Sequence, residues 1–123
     1  MPVSGLPPYD PNNIFARILR GEIPCKKVYE DDWAFAFHDI NPQAPTHVLV
    51  IPKEHHSDVA ALAAADAGLL HEVITQAHQV AVAEGVSDEG YRVVFNTGPQ
   101  AGQAVPHVHA HVLGGRSLTW PPG

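Results

Sequence analysis

Three histidines occupy alternate positions in the run His107-Val108-His109-Ala110-His111-Val112-Leu113. Side chains of a strand point to opposite faces in turn. This spacing therefore predicts His107, His109 and His111 on one face, about 6.5–7 Å apart along the backbone, and Val108, Ala110 and Val112 on the other. Imidazole is a nucleophile and, near neutral pH, a proton carrier, so one ring can attack while a neighbour orients it. The same rings suit zinc: strand-borne histidines at i and i+2 can converge on one ion, with His47, His55 or His56 completing a tetrahedral set. An idle solvent-facing strand is the weaker reading, because exposed strands mix residue types. The triad by itself leaves nucleophile and metal ligand open.

The loop just upstream, Asn96–Val105, contains Gly98 and Gly102, whose backbones can approach a phosphate closely and offer N–H donors. Standing next to the triad, it reads as phosphate-facing rather than as a plain turn. The one cysteine, Cys25, has no basic and histidine partner set nearby in sequence, so a bystander thiol is expected. His55, His56, His71 and His78 read as surface or helix residues without function. Taken alone, Phe15, Ile18, Phe37 and Ile40 read as ordinary core, and His38 as either pocket lining or an internally satisfied ring.

The elements that must position these groups belong to a chain of 123 residues with 45% hydrophobic and 16% charged residues, enough for one domain with a compact core and no staples. Seven basic against thirteen acidic residues give a net charge of −6, which argues against duplex nucleic acid as a partner. The longest apolar run, Val59–Ala65, is far short of the roughly 20 residues a membrane span needs. A single cysteine and the absence of a signal-like start point to a cytoplasmic protein.

Residues 1–12, with Pro2, Pro7, Pro8 and Pro11, predict a flexible tail, and residues 13–123 the domain. Asn13 caps a short helix with Ile14, Phe15, Ile18 and Leu19 on its apolar side. Strands are predicted over Lys26–Asp31, Trp33–Phe37, Thr46–Pro52 and Tyr91–Asn96, with a fifth beginning near Val105 and ending at Gly114 and Gly115. Ser57–Ala65 forms a turn or short helix. Leu69, Leu70, Val73, Ile74, Ala77, Val80 and Ala81 recur at helical spacing and define a long helix closed by Gly85. Without regular β–α alternation, an antiparallel α+β domain is expected.

The run HVHAHVLGGR resembles the histidine triad (HIT) family, and the Hint branch in particular. FHDINPQAPTHVLVIPKEH (Phe37–His55), the stretch from Gly90 to Arg116 and the terminal WPPG are similar to Hint as well, so the resemblance spans roughly residues 13–123. It implies a HIT-like fold: a five-stranded antiparallel sheet, a short N-terminal helix and one long helix, paired into a two-fold homodimer. The implied activity is cleavage of the P–N bond of purine nucleoside 5′-phosphoramidates, of AMP-amine or AMP-lysine type, through a covalent nucleotidyl-histidine. The product would be a purine nucleoside monophosphate.

In that reading His109 is the nucleophile, His107 and His111 flank it, and His47 extends the network behind His107. Asp39 holds the ribose, and Phe15, Ile18, Phe37 and Ile40 the base, with His38 lining the pocket. Asn96, Gly102, Gln103 and Ala104 lie near the phosphate or leaving group, and Trp120 sits at the dimer interface, where it influences leaving-group choice. No metal and no cofactor are implied. Ala104 departs from the serine found in many Hint proteins, which removes a hydroxyl but keeps a backbone N–H. The resemblance also leaves a dinucleoside polyphosphate hydrolase, or a low-turnover nucleotide- or zinc-binding module, as alternatives.

Overall fold

A computed structural model describes residues 9–123. Helix α1 (Ile14–Leu19) starts where the Asn13 side chain accepts the Ala16 N–H at 2.9 Å and ends before Gly21, which takes a left-handed φ of +76°. There follow β1 (Lys27–Glu30), β2 (Ala34–His38), β3 (Thr46–Pro52), α2 (Val59–Ala65), α3 (Ala67–Ala83), β4 (Tyr91–Val94), a single 3-10 turn at Pro99–Ala101, and β5 (Ala110–Gly114). The Asp58 and Asp66 side chains cap α2 and α3 by accepting the N–H groups of Ala61 and Leu69. One five-stranded antiparallel sheet results, in the order β1-β2-β3-β5-β4.

The alternation read from the sequence assigns each face of the sheet to a different layer. Ala36, Val48, Val50, Ala110 and Val112 pack against Leu62 of α2 and Leu69, Val73, Ala77, Val80 and Ala81 of α3. On the opposite face Phe35, Phe37, Leu49 and Ile51 pack with Phe15 and Ile18 of α1. β3 is buried along its whole length, as expected for a central strand covered on both sides. Asp31 holds the β1–β2 turn by accepting the Trp33 and Ala34 N–H groups, and Gln76 of α3 donates to its second oxygen.

Three expectations change. The fifth strand begins at Ala110, not near Val105. Extending the β3–β5 register past the Val50–Ala110 pair would set Val108 opposite Pro52, which has no N–H to give. The Val108 N–H donates instead to the His56 carbonyl at 2.8 Å. Strand β4 likewise ends at Val94, two residues before Asn96. The proposed tail boundary also moves: residues 1–8 lie outside the described residues, but Tyr9 is packed against the triad, as set out below. Among the described residues, no helix is long and apolar enough to cross a membrane.

Gly114 closes β5 where a Cβ would lie 2.8 Å from Val86 Cβ and 2.9 Å from its Cγ2. Gly114→Ala is expected to destabilise the fold by about 1–3 kcal/mol through overpacking. Adding Val86→Ala should recover part of that loss, so the pair should be less than additive in a urea-unfolding double-mutant cycle.

Candidate active site

His109 stands in the extended lead-in to β5, buried beneath α1. Its Nδ1 lies 2.7 Å from the backbone oxygen of His107. A carbonyl only accepts, so Nδ1 carries the proton and Nε2 is left with a free lone pair. Phe15 of α1 meets the ring edge-on at a centroid separation of 4.9 Å, and the His111 ring lies 5.0 Å away. Burial pushes the His109 pKa below the ordinary histidine value, against the opposing pull of its hydrogen bond to the backbone and the charge of Asp39. The ring is therefore neutral near pH 7 with its unprotonated nitrogen defined.

A second chain of bonds sets His111. The Gln43 backbone N–H donates to His47 Nδ1 at 3.0 Å, so a neutral His47 carries its proton on Nε2. That nitrogen lies 2.9 Å from His111 Nδ1, which must then accept, leaving the His111 proton on Nε2. His111 is pushed down to about 4, by burial first and by the neighbouring His109 and His47 second. Arg116 steadies the start of this chain, its Nε and Nη2 donating to the Gln43 carbonyl at 3.1 and 2.9 Å. His47 thus stands behind His111, and not behind His107 as the sequence reading had it, because β3 and β5 pair Leu49 with His111 and place His47 beside it on the same face.

His107 is the most enclosed of the triad, at 0% exposure. Its Nε2 donates to the Pro52 carbonyl at 2.9 Å, and its Nδ1 accepts from the Tyr9 hydroxyl at 2.7 Å. His55 stacks on Tyr9 with centroids 4.6 Å apart and meets His107 edge-on at 5.9 Å. Burial, chiefly, pushes the His107 pKa down to about 4. Neither Tyr9 nor His55 was expected here. His55, read as functionless surface, belongs to the packing around the triad, while His56 pairs with Glu54 at 2.9 Å.

A cavity of about 710 Å³ opens beside this network, with Asp39, Ile40 and His47 in its lining. Asp39 Oδ1 accepts the Asn41 N–H, and Oδ2 lies 3.5 Å from His47 Nε2. Of the four apolar candidates, Phe15, Ile18 and Phe37 are buried in the α1-side core, whereas Ile40 is 94% exposed at the cavity. Cys25 also lines the cavity, and burial pushes its pKa up, away from a reactive thiolate. His38 borders the cavity too, and by strand alternation its ring turns to the α3 side, where Nδ1 is 4.0 Å from Glu84.

The Gly98–Val105 loop is braced from within. Gln103 Oε1 accepts the Gly98 N–H, and its Nε2 donates to the Ser57 and Val105 carbonyls at 2.7 and 3.1 Å. Its amide is engaged in holding the loop. Gly102 takes the left-handed φ of +81° that this turn requires. Asn96 is half-buried and Ala104 exposed, while Trp120 is 82% exposed and packs on no core.

Asp39, His47 and His111 each bring one ligand-type atom within 4.8 Å of the others. Their bonding does not fit a metal as it stands. The His47 nitrogen that would ligate carries the proton that bonds His111, and the Gln43 N–H requires the opposite nitrogen to stay unprotonated.

The chain is similar to known proteins along most of its length. It is 56% identical over 115 residues to an uncharacterised 13.2 kDa HIT-like protein of Azospirillum brasilense, covering 89% of this chain and 91% of the relative. It is 49% identical over 117 residues to the 14 kDa zinc-binding protein of Zea mays, covering 93% and 90%. A crystal structure of a HIT family hydrolase from Legionella pneumophila superposes with a TM-score of 0.87 at 49% identity, covering 91% of this chain and all of that one. The histidine triad nucleotide-binding protein of Candida albicans superposes with a TM-score of 0.76 at 32% identity, covering 89% and 83%. The HIT domain family model matches residues 20–118, and with the triad held in this geometry the chain belongs to the histidine triad family.

Proposed function

We propose that this protein is a nucleotide-binding hydrolase of the Hint branch that cleaves the P–N bond of purine nucleoside 5′-phosphoramidates. The observation that carries the reading is the 2.7 Å bond from His109 Nδ1 to the His107 carbonyl, which leaves Nε2 as an unprotonated nucleophile against His111, whose partner His47 lines the open cavity. Relatives named as a HIT family hydrolase and as a nucleotide-binding protein support it. Asp39 accepts the ribose hydroxyls, Ile40 and the α1-side apolar residues flank the base, and the phosphate sits between His109 and His111.

His109 Nε2 attacks the α-phosphorus, forming a phosphorus–nitrogen bond to the ring as the bond to the substrate amine breaks. The amine leaves with a proton taken from solvent. The His111 Nε2–H donates to a non-bridging phosphoryl oxygen, where charge builds in the transition state. Water then attacks phosphorus, the bond to His109 breaks, and the nucleoside monophosphate and one proton are released. Neutral donors suit a chain of net charge −6, since no cluster of cations is needed to hold the phosphate.

A homodimer fits the surface. Ile74 and Val82 of α3, Val93 of the edge strand β4 and Trp120 are exposed apolar side chains that a second copy would cover. Cytoplasmic location belongs to the same reading. The relative named for zinc supports a second reading as a metal-binding module, which the first test separates.

Release of AMP from an adenosine 5′-phosphoramidate bearing a fluorescent amine is expected to proceed in excess EDTA and to be abolished by His109→Ala. Loss of turnover on chelation would favour the metal reading. A diadenosine polyphosphate turned over in preference would favour the dinucleotide reading. Ala104→Ser should raise kcat by about tenfold or more if the hydroxyl supplies a transition-state donor.

In a pH profile of the same reaction, the acid limb of kcat/KM should lie below the ordinary histidine pKa of about 6.5. The sign follows from burial: it lowers the His109 pKa, and protonation removes the attacking lone pair, so activity should persist to lower pH than a solvated histidine would allow.

A further inference from the structure

Tyr9 lies eleven residues before the 20–118 span matched by the HIT domain, yet its hydroxyl reaches the first histidine of the triad. His107 Nε2 already donates to the Pro52 carbonyl, so Nδ1 is an acceptor in a fully enclosed ring. A buried acceptor without a donor costs free energy and loosens the ring that bears it. The Tyr9 O–H meets that acceptor at 2.7 Å, and the stacked His55 ring holds the phenol in place. The titratable groups facing His107 are Tyr9, His55, His56 and His109, none of them anionic while Tyr9 keeps its proton. Burial raises the Tyr9 pKa, so the hydroxyl remains a donor through neutral pH.

The consequence reaches His109 through one residue. The His107 backbone oxygen fixes the His109 tautomer, and the His107 side chain, pinned at both ring nitrogens, fixes where that oxygen points. We propose that Tyr9 is a positioning residue for the nucleophile: its hydroxyl meets the acceptor that the Pro52 bond leaves on His107, pins that ring at its second nitrogen and so aims the carbonyl that orients His109. The segment leading into α1 is then a working part of the site, contributed from before the span that the HIT domain model matches. The catalytic half of this inference rests on the activity proposed above. The hydrogen-bonding half does not.

The test pairs imidazole nitrogen NMR with steady-state kinetics on Tyr9→Phe, which keeps the ring and its stacking on His55 but removes the donor. The His107 Nδ1 resonance should move toward that of an unbonded pyridine-type nitrogen. In turnover, kcat should fall about threefold to tenfold, the scale of one net hydrogen bond, with KM within twofold. An unmoved Nδ1 resonance would overturn the proposal whatever the enzyme does. A moved resonance with unchanged kcat would overturn its catalytic half. If the parent protein does not cleave phosphoramidates, the activity reading fails on that ground, and the resonance still decides whether the Tyr9 hydroxyl pins His107.

Discussion

Four enclosed imidazoles, each pushed below the ordinary histidine pKa chiefly by burial, are neutral near pH 7, and a neutral imidazole has one donor and one acceptor. Everything at this site depends on that rule. Each ring's proton is assigned by a group that cannot exchange roles: the Pro52 carbonyl for His107, the His107 carbonyl for His109, and the Gln43 N–H for His47, from which His111 follows. The chemistry is written by backbone atoms, and the side chains transmit it. Burial contributes the other half, since it keeps His107 and His111 far from protonation near pH 7.

Because the assigning groups are backbone, strand register becomes a chemical parameter. β3 supplies His47 at one end and the Pro52 carbonyl at the other, and β5 brings His111 opposite Leu49 between them. A slip of one residue would turn the histidines into the α3 layer and their valine neighbours into the cavity. Two large apolar layers resist that slip, with Val48, Val50 and Val112 sealed under α3 and Phe35, Phe37 and Ile51 under α1. The core that stabilises the domain is the same set of contacts that holds the tautomers.

Much of this is legible in the sequence because it is periodic or local. The alternation of His107 to Leu113, the helical spacing from Leu69 to Ala81 and the Asn13 cap each follow from neighbours a few positions apart. What was missed is long-range and non-periodic. Tyr9 sits in a proline-rich stretch, 98 positions from His107, with no spacing signal to connect them. His47 belongs with His111 because of a strand pairing that only the folded sheet decides. Pro52, read as the end of a strand, also stops β5 from pairing further, which frees the triad's first two residues to leave the ladder.

Enclosing neutral rings also ties folding to protons. An unfolded histidine takes up a proton near pH 6.5, whereas His107 and His111 in the folded chain resist until about 4. Between those values the unfolded state binds protons that the native state refuses, so acidification pulls the equilibrium toward unfolding. Stability from these rings is complete above the upper value and is lost progressively as the pH drops toward the lower one. The burial that keeps the nucleophile ready at neutral pH thus makes the domain acid-labile, by the same desolvation acting on the two histidines that flank it.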